Sequence, residues 1–87
     1  MLFIECYGKN VYIDDELVGY ISPTSGDMYA DGHKFGNLTP EGDIYLNNEW
    51  VGYIEDNLDI YINEQVAGCV TPQNDIKFDS AALKQIR

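Results

Sequence analysis

A 16-residue spacing runs through the chain and constrains its fold more than any other feature. Tetrapeptides of one pattern start 16 residues apart, at Gly26 (GDMY), Gly42 (GDIY), Leu58 (LDIY) and Asn74 (NDIK), and an earlier copy (KNVY) starts 17 residues before the first, at Lys9. Glycines recur with nearly the same period, at Gly19, Gly36, Gly52 and Gly68. The unit reads approximately GDIYxNxxVGYIxPx, and we assign residues 9–78 to four to five copies of it.

Part of each unit has a fixed length, whereas the segment between units does not. Two apolar positions are seven residues apart in every copy, namely Val11 and Val18, Met28 and Phe35, Ile44 and Val51, and Ile60 and Ala67. The extra residue behind the single 17-residue spacing lies instead in residues 22–26 (SPTSG). A constant length indicates fixed backbone geometry, and an insertion marks a connecting loop that tolerates change.

The middle of each fixed segment predicts a β-hairpin. Two β-branched or aromatic stretches flank one short pair, which is Asp14-Asp15, Asp31-Gly32, Asn47-Asn48 or Asn63-Glu64. Asn, Asp and Gly accept the positive φ that a type I′ turn requires at both positions, and Glu64 is the poorest fit. In the third unit this turn predicts a register in which Leu46 faces Glu49, Tyr45 faces Trp50, Ile44 faces Val51 and Asp43 faces Gly52.

The connectors between units predict a second reversal of the chain. Residues 39–42 (TPEG) and 71–74 (TPQN) place proline second in a four-residue turn, which is typical of type I turns. The result is an all-β, antiparallel meander of short hairpins. The alternative is a β-solenoid, which would stack equivalent aspartates about 4.8 Å apart, whereas the meander separates them by roughly 10 Å. Because like charges at the shorter distance are destabilising, we favour the meander.

The twist of so many short strands predicts a curled sheet or a small open barrel. In the third unit, one predicted face carries Ile44, Leu46, Val51 and Tyr53, and the other carries Tyr45, Trp50, Gly52 and Ile54. We expect Ile44, Leu46 and Val51 to form core. The second face is also partly apolar, so we expect curling of the sheet or another subunit to cover it.

The two ends of the chain depart from the unit, and we treat all 87 residues as one domain. Residues 1–8 are predicted to form an N-terminal capping strand. Residues 79–87 are predicted to form a short C-terminal helical cap, with Ser80 as its N-cap and basic residues towards its end. Both caps would protect open sheet edges from pairing with other chains.

The charge of the chain limits its partners. Its formal net charge is -10, and residues 10–76 hold thirteen acids against one base, Lys34. An anionic body argues against direct binding of nucleic acid or of an anionic membrane, and it favours a basic protein partner. The N-terminus lacks the pattern of a signal peptide and no run reaches transmembrane length, so we expect a cytoplasmic protein.

No catalytic, cofactor or metal signature is present in the sequence, and we predict that the protein is not an enzyme. His33 stands where other units have Glu16, Glu49 and Gln65, so we interpret it as a polar residue beside a turn. The aspartates lack the spacing of known calcium loops, and we expect them to cap the turns between units. Cys6 and Cys69 are too few for a disulfide scaffold, and we expect both to be reduced packing residues.

Three hypotheses of function remain open at this level. The first is a non-catalytic protein-binding module that uses an acidic, tyrosine-rich surface. The second is a nucleic-acid mimic that inhibits a DNA- or RNA-handling enzyme, with carboxylates in place of phosphates. The third is a self-assembling structural protein whose copies pair through an apolar sheet face. The residues predicted to contact a partner are Asp27, Asp43, Asp59, Tyr29, Tyr45, Tyr61 and Trp50.

Overall fold

A computed structural model describes the backbone of residues 3–83 and the side chains of residues 3–81. The described chain forms nine strands between a 3-10 turn (Ile4–Cys6) and a short helix, α1 (Ser80–Leu83). The strands are β1 (Asn10–Ile13), β2 (Glu16–Ile21), β3 (Asp27–Ala30), β4 (His33–Leu38), β5 (Asp43–Leu46), β6 (Glu49–Ile54), β7 (Asp59–Ile62), β8 (Gln65–Val70) and β9 (Ile76–Phe78). Each of the first four repeat units therefore contributes one four-residue and one six-residue strand, and the last unit contributes only the three-residue β9.

The sheet is the predicted antiparallel meander, and it closes on itself. Every strand from β1 to β8 pairs antiparallel with the next, which confirms the meander and contradicts the solenoid alternative. The first and last strands then pair in parallel, with Val11 opposite Ile76 and Ile13 opposite Phe78. This pairing completes a closed barrel, so the sheet has no open edge that would require a cap.

The hairpin turns lie where the sequence predicts them. All four turn pairs have positive φ at both positions, including Asn47 (54°) with Asn48 (67°) and Asn63 (52°) with Glu64 (65°). This is the backbone of a type I′ turn, whose twist matches that of the flanking strands. The connectors between units also reverse the chain, and in one of them the amide of Gly42 donates to the carbonyl of Thr39 at 3.0 Å.

The register predicted for the third unit is correct next to its turn and wrong beyond it. Tyr45 faces Trp50 as expected, but Ile44 faces Gly52 rather than Val51, and Asp43 faces Tyr53 rather than Gly52. Val51 is the extra residue of a β-bulge, which places two residues of one strand opposite one residue of its partner. The same bulge recurs in every hairpin, at residues 18, 35 and 67 as well.

The bulge also corrects the predicted faces of β6. Beyond a bulge the alternation of side chains shifts by one residue, so Ile54 points into the core (6% exposed) and Tyr53 lies half-buried on the outside. The expected core residues Ile44, Leu46 and Val51 are buried, as predicted. Gly52 is buried and pairs with Ile44 across the hairpin.

The repeated glycine is required because the bulge brings two backbones close together. A Cβ at Gly52 would lie 1.8 Å from the carbonyl oxygen of Tyr61 on the neighbouring strand. The equivalent glycines make the same approach, with distances of 1.9 Å at Gly19, 2.5 Å at Gly36 and 1.9 Å at Gly68. Any side chain at these positions would force adjacent strands of the barrel apart.

The core fills the interior of the barrel in layers that follow the repeat. One layer consists of the apolar residues after the aspartate position, and all of them are at most 1% exposed: Val11, Met28, Ile44, Ile60 and Ile76. A second layer comes from the ends of the longer strands: Ile21, Leu38, Ile54 and Val70. Because each unit supplies the same positions, the repeat period sets the layering of the core.

The N-terminal segment covers one end of the barrel, but not as the predicted strand. Residues 4–6 form a 3-10 turn, and the amide of Phe3 donates to the carbonyl of Pro40 at 2.7 Å. The ring of Phe3 lies where a Cβ of Gly42 would be, and the hydroxyl of Tyr7 donates to the carbonyl of Leu38 at 2.8 Å. The segment therefore binds across the connectors between units and closes the apolar interior.

The C-terminal helix begins as predicted but has a different cap. The Asp79 carboxylate accepts the amide of Ala81 at 3.1 Å, so Asp79, not Ser80, caps the helix. Ser80 instead bonds across to Asp14, which accepts the backbone amide of Ser80 at 3.1 Å. Residues 84–87 of the predicted helix lie outside the described residues.

We expect Gly52→Ala to lower the free energy of unfolding by about 3 kcal/mol or more, because its Cβ has no space beside the Tyr61 carbonyl. Gly32→Ala is the matched control. Gly32 has positive φ, but no atom lies within 4 Å of the place that its Cβ would take, so we expect a loss of only about 1 kcal/mol. Urea unfolding of the two variants measures the difference, and equal losses would contradict the close-approach argument.

The two cysteines should differ in reactivity. Cys6 is 2% exposed, and burial, with the carboxylates of Glu5 and Asp75, raises the pKa of its thiol to about 11. Cys69 lies half-buried on β8. At mildly alkaline pH we expect iodoacetamide to modify Cys69 first, and Cys6 only when the N-terminal segment opens. Mass spectrometry of a time course measures both rates. Equal rates would show that the segment does not protect Cys6.

Candidate functional site

The seven residues predicted to contact a partner all lie on the outer surface of the barrel. Trp50 is 54% exposed, and the other six, Asp27, Asp43, Asp59, Tyr29, Tyr45 and Tyr61, are half-buried. The closed sheet nevertheless separates them. Strands β3 and β7 are four positions apart in a nine-stranded barrel, so Asp27 and Tyr29 lie nearly opposite Asp59 and Tyr61. One flat partner surface cannot contact all seven.

The structure brings two of the predicted residues together with two that the sequence analysis missed. The rings of Trp50 and Tyr53 stack with centroids 6.3 Å apart, and those of Tyr53 and Tyr61 stack at 5.6 Å, with interplanar angles of 12° and 10°. Val66 faces Tyr61 on the next strand and is 56% exposed. We call Trp50, Tyr53, Tyr61 and Val66 the aromatic patch. It spans β6, β7 and β8.

The bulge creates the aromatic patch. Without it, Tyr53 would point into the core, as the uninterrupted alternation of β6 predicts, and the rings of Trp50 and Tyr61 would have no ring between them. With it, Tyr53 faces Tyr61 in register on the outer surface. The sequence signal that could have located Tyr53 is the recurring glycine one residue before it, since glycine inside a strand often marks a bulge.

A second, smaller aromatic pair lies elsewhere on the barrel. Tyr20 of β2 and Tyr29 of β3 stack with centroids 5.5 Å apart, and Tyr20 is 48% exposed. Leu17 is 57% exposed on β2 and occupies the unit position that Trp50 and Val66 occupy in later units. The same scaffold thus presents comparable exposed apolar side chains on two separate parts of its surface.

The carboxylates of Asp27, Asp43 and Asp59 accept hydrogen bonds from side chains, and not the predicted bonds from backbone amides of the turns between units. In two connectors the hydroxyl of a threonine accepts such a bond instead: Thr39 accepts the amide of Asp43 at 2.9 Å, and Thr71 accepts that of Asp75 at 3.1 Å. The carboxylate of Asp43 accepts the indole N–H of Trp50 at 3.2 Å. Asp43 is therefore a positioning residue for the aromatic patch, because its bond orients the Trp50 ring along the sheet.

Asp27 is largely neutralised within the protein. Its Oδ1 accepts a hydrogen bond from the side-chain amide of Asn37 at 2.8 Å and lies 3.2 Å from the ammonium of Lys34. The bond from Asn37 and the charge of Lys34 lower the pKa of Asp27 below its ordinary value. Of the predicted aspartates, Asp27 is thus the least available to a cationic partner.

The part of the chain that forms the aromatic patch carries acids without bases. Between Phe35 and Ile76 the sequence contains eight acids and no lysine, arginine or histidine. The ammonium groups of Lys34 and Lys77 lie outside this stretch and pair with Asp27 and Asp15. Carboxylates around an apolar surface attract cations to it over distances of about 8 Å at physiological salt.

Two shallow depressions occur at equivalent places in neighbouring hairpins. The first has a volume of about 160 Å³ and is lined by Trp50, Val51, Gly52, Tyr53, Asn63 and Glu64; we call it the Glu64 depression. The second has a volume of about 250 Å³ and is lined by Lys34, Phe35, Gly36, Asn37, Tyr45, Asn47 and Asn48; we call it the Asn48 depression. Each lies between a bulge and the turn of the next hairpin.

Among the described side chains, those of residues 3–81, no group of three or more His, Cys, Asp or Glu could hold a metal ion. His33 is exposed beside its turn, as expected of a polar turn residue. Neither described helical segment is long and apolar enough to cross a membrane.

We expect Asn37→Ala to raise the pKa of Asp27 towards its ordinary value of about 4, because the largest cause of the lowering is removed. The ionised carboxylate stabilises the fold above that ordinary value, and this contribution is lost as pH falls through the lowered one. Carboxyl-carbon NMR shifts followed with pH measure the change. Gln65→Ala, an exposed change on β8, is the control and should leave the pKa of Asp27 unaltered.

Comparison of the chain with protein-family models, with curated proteins and with solved structures gives no match.

Proposed function

We propose that the protein is a non-catalytic binding module that captures a basic protein partner through the aromatic patch. The observation that carries the proposal is the parallel stack of Trp50, Tyr53 and Tyr61, which continues into Val66. Trp50 and Val66 are each more than half exposed, although they are large apolar side chains. Tryptophan and tyrosine are the residues that contribute most often to the binding energy of protein interfaces.

The rigidity of the patch supports this role. The Trp50 ring is held by its stack on Tyr53 and by the bond from its indole N–H to Asp43. Side chains that are ordered before binding lose little conformational entropy when a partner covers them. The closed barrel beneath adds to this effect, since every strand under the patch is paired on both sides.

The charge pattern favours a basic partner. Eight acids without one base between Phe35 and Ile76 would speed association with a cationic protein and disfavour an anionic one. Both cysteines are free, as expected of thiols in a reducing compartment, and this supports a site of action in the cytoplasm. The apolar face of the sheet is enclosed by the barrel, so self-assembly would have to use an outer surface, such as the aromatic patch or the surface at Leu17 and Tyr20.

The same carboxylates support a second candidate function, which is mimicry of nucleic acid. In that case the acidic surface would occupy the basic groove of a DNA- or RNA-handling enzyme. The affinity of a nucleic-acid mimic would come mainly from the carboxylates, whereas the affinity of the binding module would come mainly from the aromatic patch. The two candidates therefore predict different sensitivities to mutation and to competing nucleic acid.

We expect Trp50→Ala combined with Val66→Ser to abolish capture of the partner from a lysate of the native host, because both changes remove exposed apolar area. Leu17→Ser is the matched control: it removes an equally exposed residue from the same unit position on β2. Mass spectrometry should identify a basic protein that the wild type and the Leu17 variant retain. If the double variant retains it too, the patch is not the interface.

The purified partner then separates the candidates. For a binding module, saturating nucleic acid should leave the affinity unchanged, and for a mimic it should compete. Changing Asp27, Asp43 and Asp59 to Asn should slow association and flatten its salt dependence if long-range charge contributes. If the captured protein is a second copy of this chain, sedimentation should show a dimer that the double variant loses.

A further inference from the structure

The Glu64 depression differs from its equivalent in the preceding hairpin by the chemistry of its walls. Several unit positions line both depressions with different residues. Trp50, Tyr53 and Glu64 of the Glu64 depression correspond to Lys34, Asn37 and Asn48 of the Asn48 depression. One depression thus combines two aromatic rings with a carboxylate. The other is lined by Phe35 and Tyr45, with the ammonium group of Lys34 and neutral amides but no carboxylate. The backbone that forms both is the same repeat.

The local structure keeps the Glu64 depression open and well defined. Its floor is the bulge at Val51 and Gly52, where the side chain of Val51 is buried and Gly52 has no room for a Cβ. One wall is formed by Trp50 and Tyr53, whose rings are stacked, and the other is the turn at Asn63 and Glu64. The amide of Asn63 donates to the carbonyl of Val51 at 3.2 Å and ties the turn to the floor.

The backbone conformation at Glu64 indicates that a glutamate at this position does not serve to stabilise the turn. Glu64 has φ of 65°, in the left-handed region that glycine and asparagine adopt with least strain. The second and third units place Gly32 and Asn48 at this turn position. A residue that fits its backbone poorly, beside a depression with aromatic walls, suggests a role for its carboxylate.

The first hairpin provides an internal precedent. Asp15 occupies the same unit position as Glu64, and its carboxylate pairs with the ammonium of Lys77 on the adjacent strand β9. That pairing raises the pKa of Lys77. A carboxylate at this turn position can therefore hold a cation that lies over the neighbouring strand. Residues 35–76 contain no lysine or arginine, so this stretch supplies no cation for the Glu64 carboxylate to bind.

We propose that the Glu64 depression binds an arginine side chain of the protein partner, with its guanidinium between the Trp50 and Tyr53 wall and the Glu64 carboxylate. This inference rests on the proposed function and specifies its partner chemistry. A guanidinium is planar, stacks on the face of an aromatic ring and donates paired hydrogen bonds to a carboxylate. Because Tyr53 lies between Trp50 and Tyr61 in the stack, the ring for the guanidinium to stack on is the exposed ring of Trp50. An ammonium could use the carboxylate but would gain less from the ring.

The test titrates the isotope-labelled protein with N-acetyl-arginine methylamide and follows its amide and indole NMR signals. We expect saturable shifts at Gly52, Glu64 and the Trp50 indole, and none at Gly36 or Asn48, which line the matched control depression. The lysine analogue should bind several-fold more weakly, and the neutral citrulline analogue should not bind. Sodium chloride at equal ionic strength serves as the blank.

Two variants separate binding from folding. Glu64→Gln should weaken binding of the arginine probe roughly five- to tenfold, because a charge-assisted pair becomes neutral. Glu64→Gly should abolish the shifts while it raises the Tm, since glycine relieves the positive φ at this turn. Equal shifts in both depressions, equal binding of citrulline, or full binding by the Glu64→Gly variant would each overturn the proposal.

Partner capture distinguishes failure of this inference from failure of the proposed function. If Glu64→Gly captures the partner as well as wild type while the Trp50 and Val66 double variant loses it, the arginine site is wrong and the binding module stands. If both variants capture the partner fully, the aromatic patch and the arginine site are both wrong. Loss in both variants, with Leu17→Ser unaffected, supports both.

Discussion

The close approach of two backbones at each recurring glycine is the constraint on which the rest of this barrel depends. At Gly52 the space for a Cβ is taken by the carbonyl of Tyr61, and the same contact recurs at Gly19, Gly36 and Gly68. The approach accompanies a one-residue bulge in every hairpin, which bends the strand and strengthens its twist. Bulges repeated at equal intervals give every unit the same curvature, and equal curvature suits a sheet that closes.

Closure explains why the units are not identical at the ends of the barrel. The parallel pairing of β1 with β9 removes both edges, and the acids of the first turn stabilise this junction through Lys77 and Ser80.

At the other end of the barrel, glycine occurs in the two connectors that the N-terminal segment crosses, where Phe3 and Tyr7 fill the space beside Gly42 and Gly26. The equivalent residues Leu58 and Asn74 also have positive φ.

The repeat separates what the fold needs from what varies on its surface. Interior positions stay apolar in every unit, whereas one outer position changes from Leu17 to Lys34, Trp50 and Val66. The second turn position likewise changes from Asp15 to Gly32, Asn48 and Glu64. The proposed interface and the proposed arginine site both lie where these two variable positions meet, because changes there alter recognition without disturbing the core.

Turn chemistry and alternation are local properties of the chain, so the all-β class, the unit boundaries, the hairpin turns and the burial of Ile44, Leu46 and Val51 were predictable from the sequence. The bulge was not predictable, since the seven-residue spacing fits a regular hairpin equally well, and so Tyr53 and Ile54 were placed on the wrong faces. Closure, the 3-10 turn at the N-terminus and the gathering of Trp50, Tyr53, Tyr61 and Val66 were decided by tertiary structure. Each depends on contacts between strands of different units, and the distance between those strands is set by backbone packing at glycine rather than by any local preference.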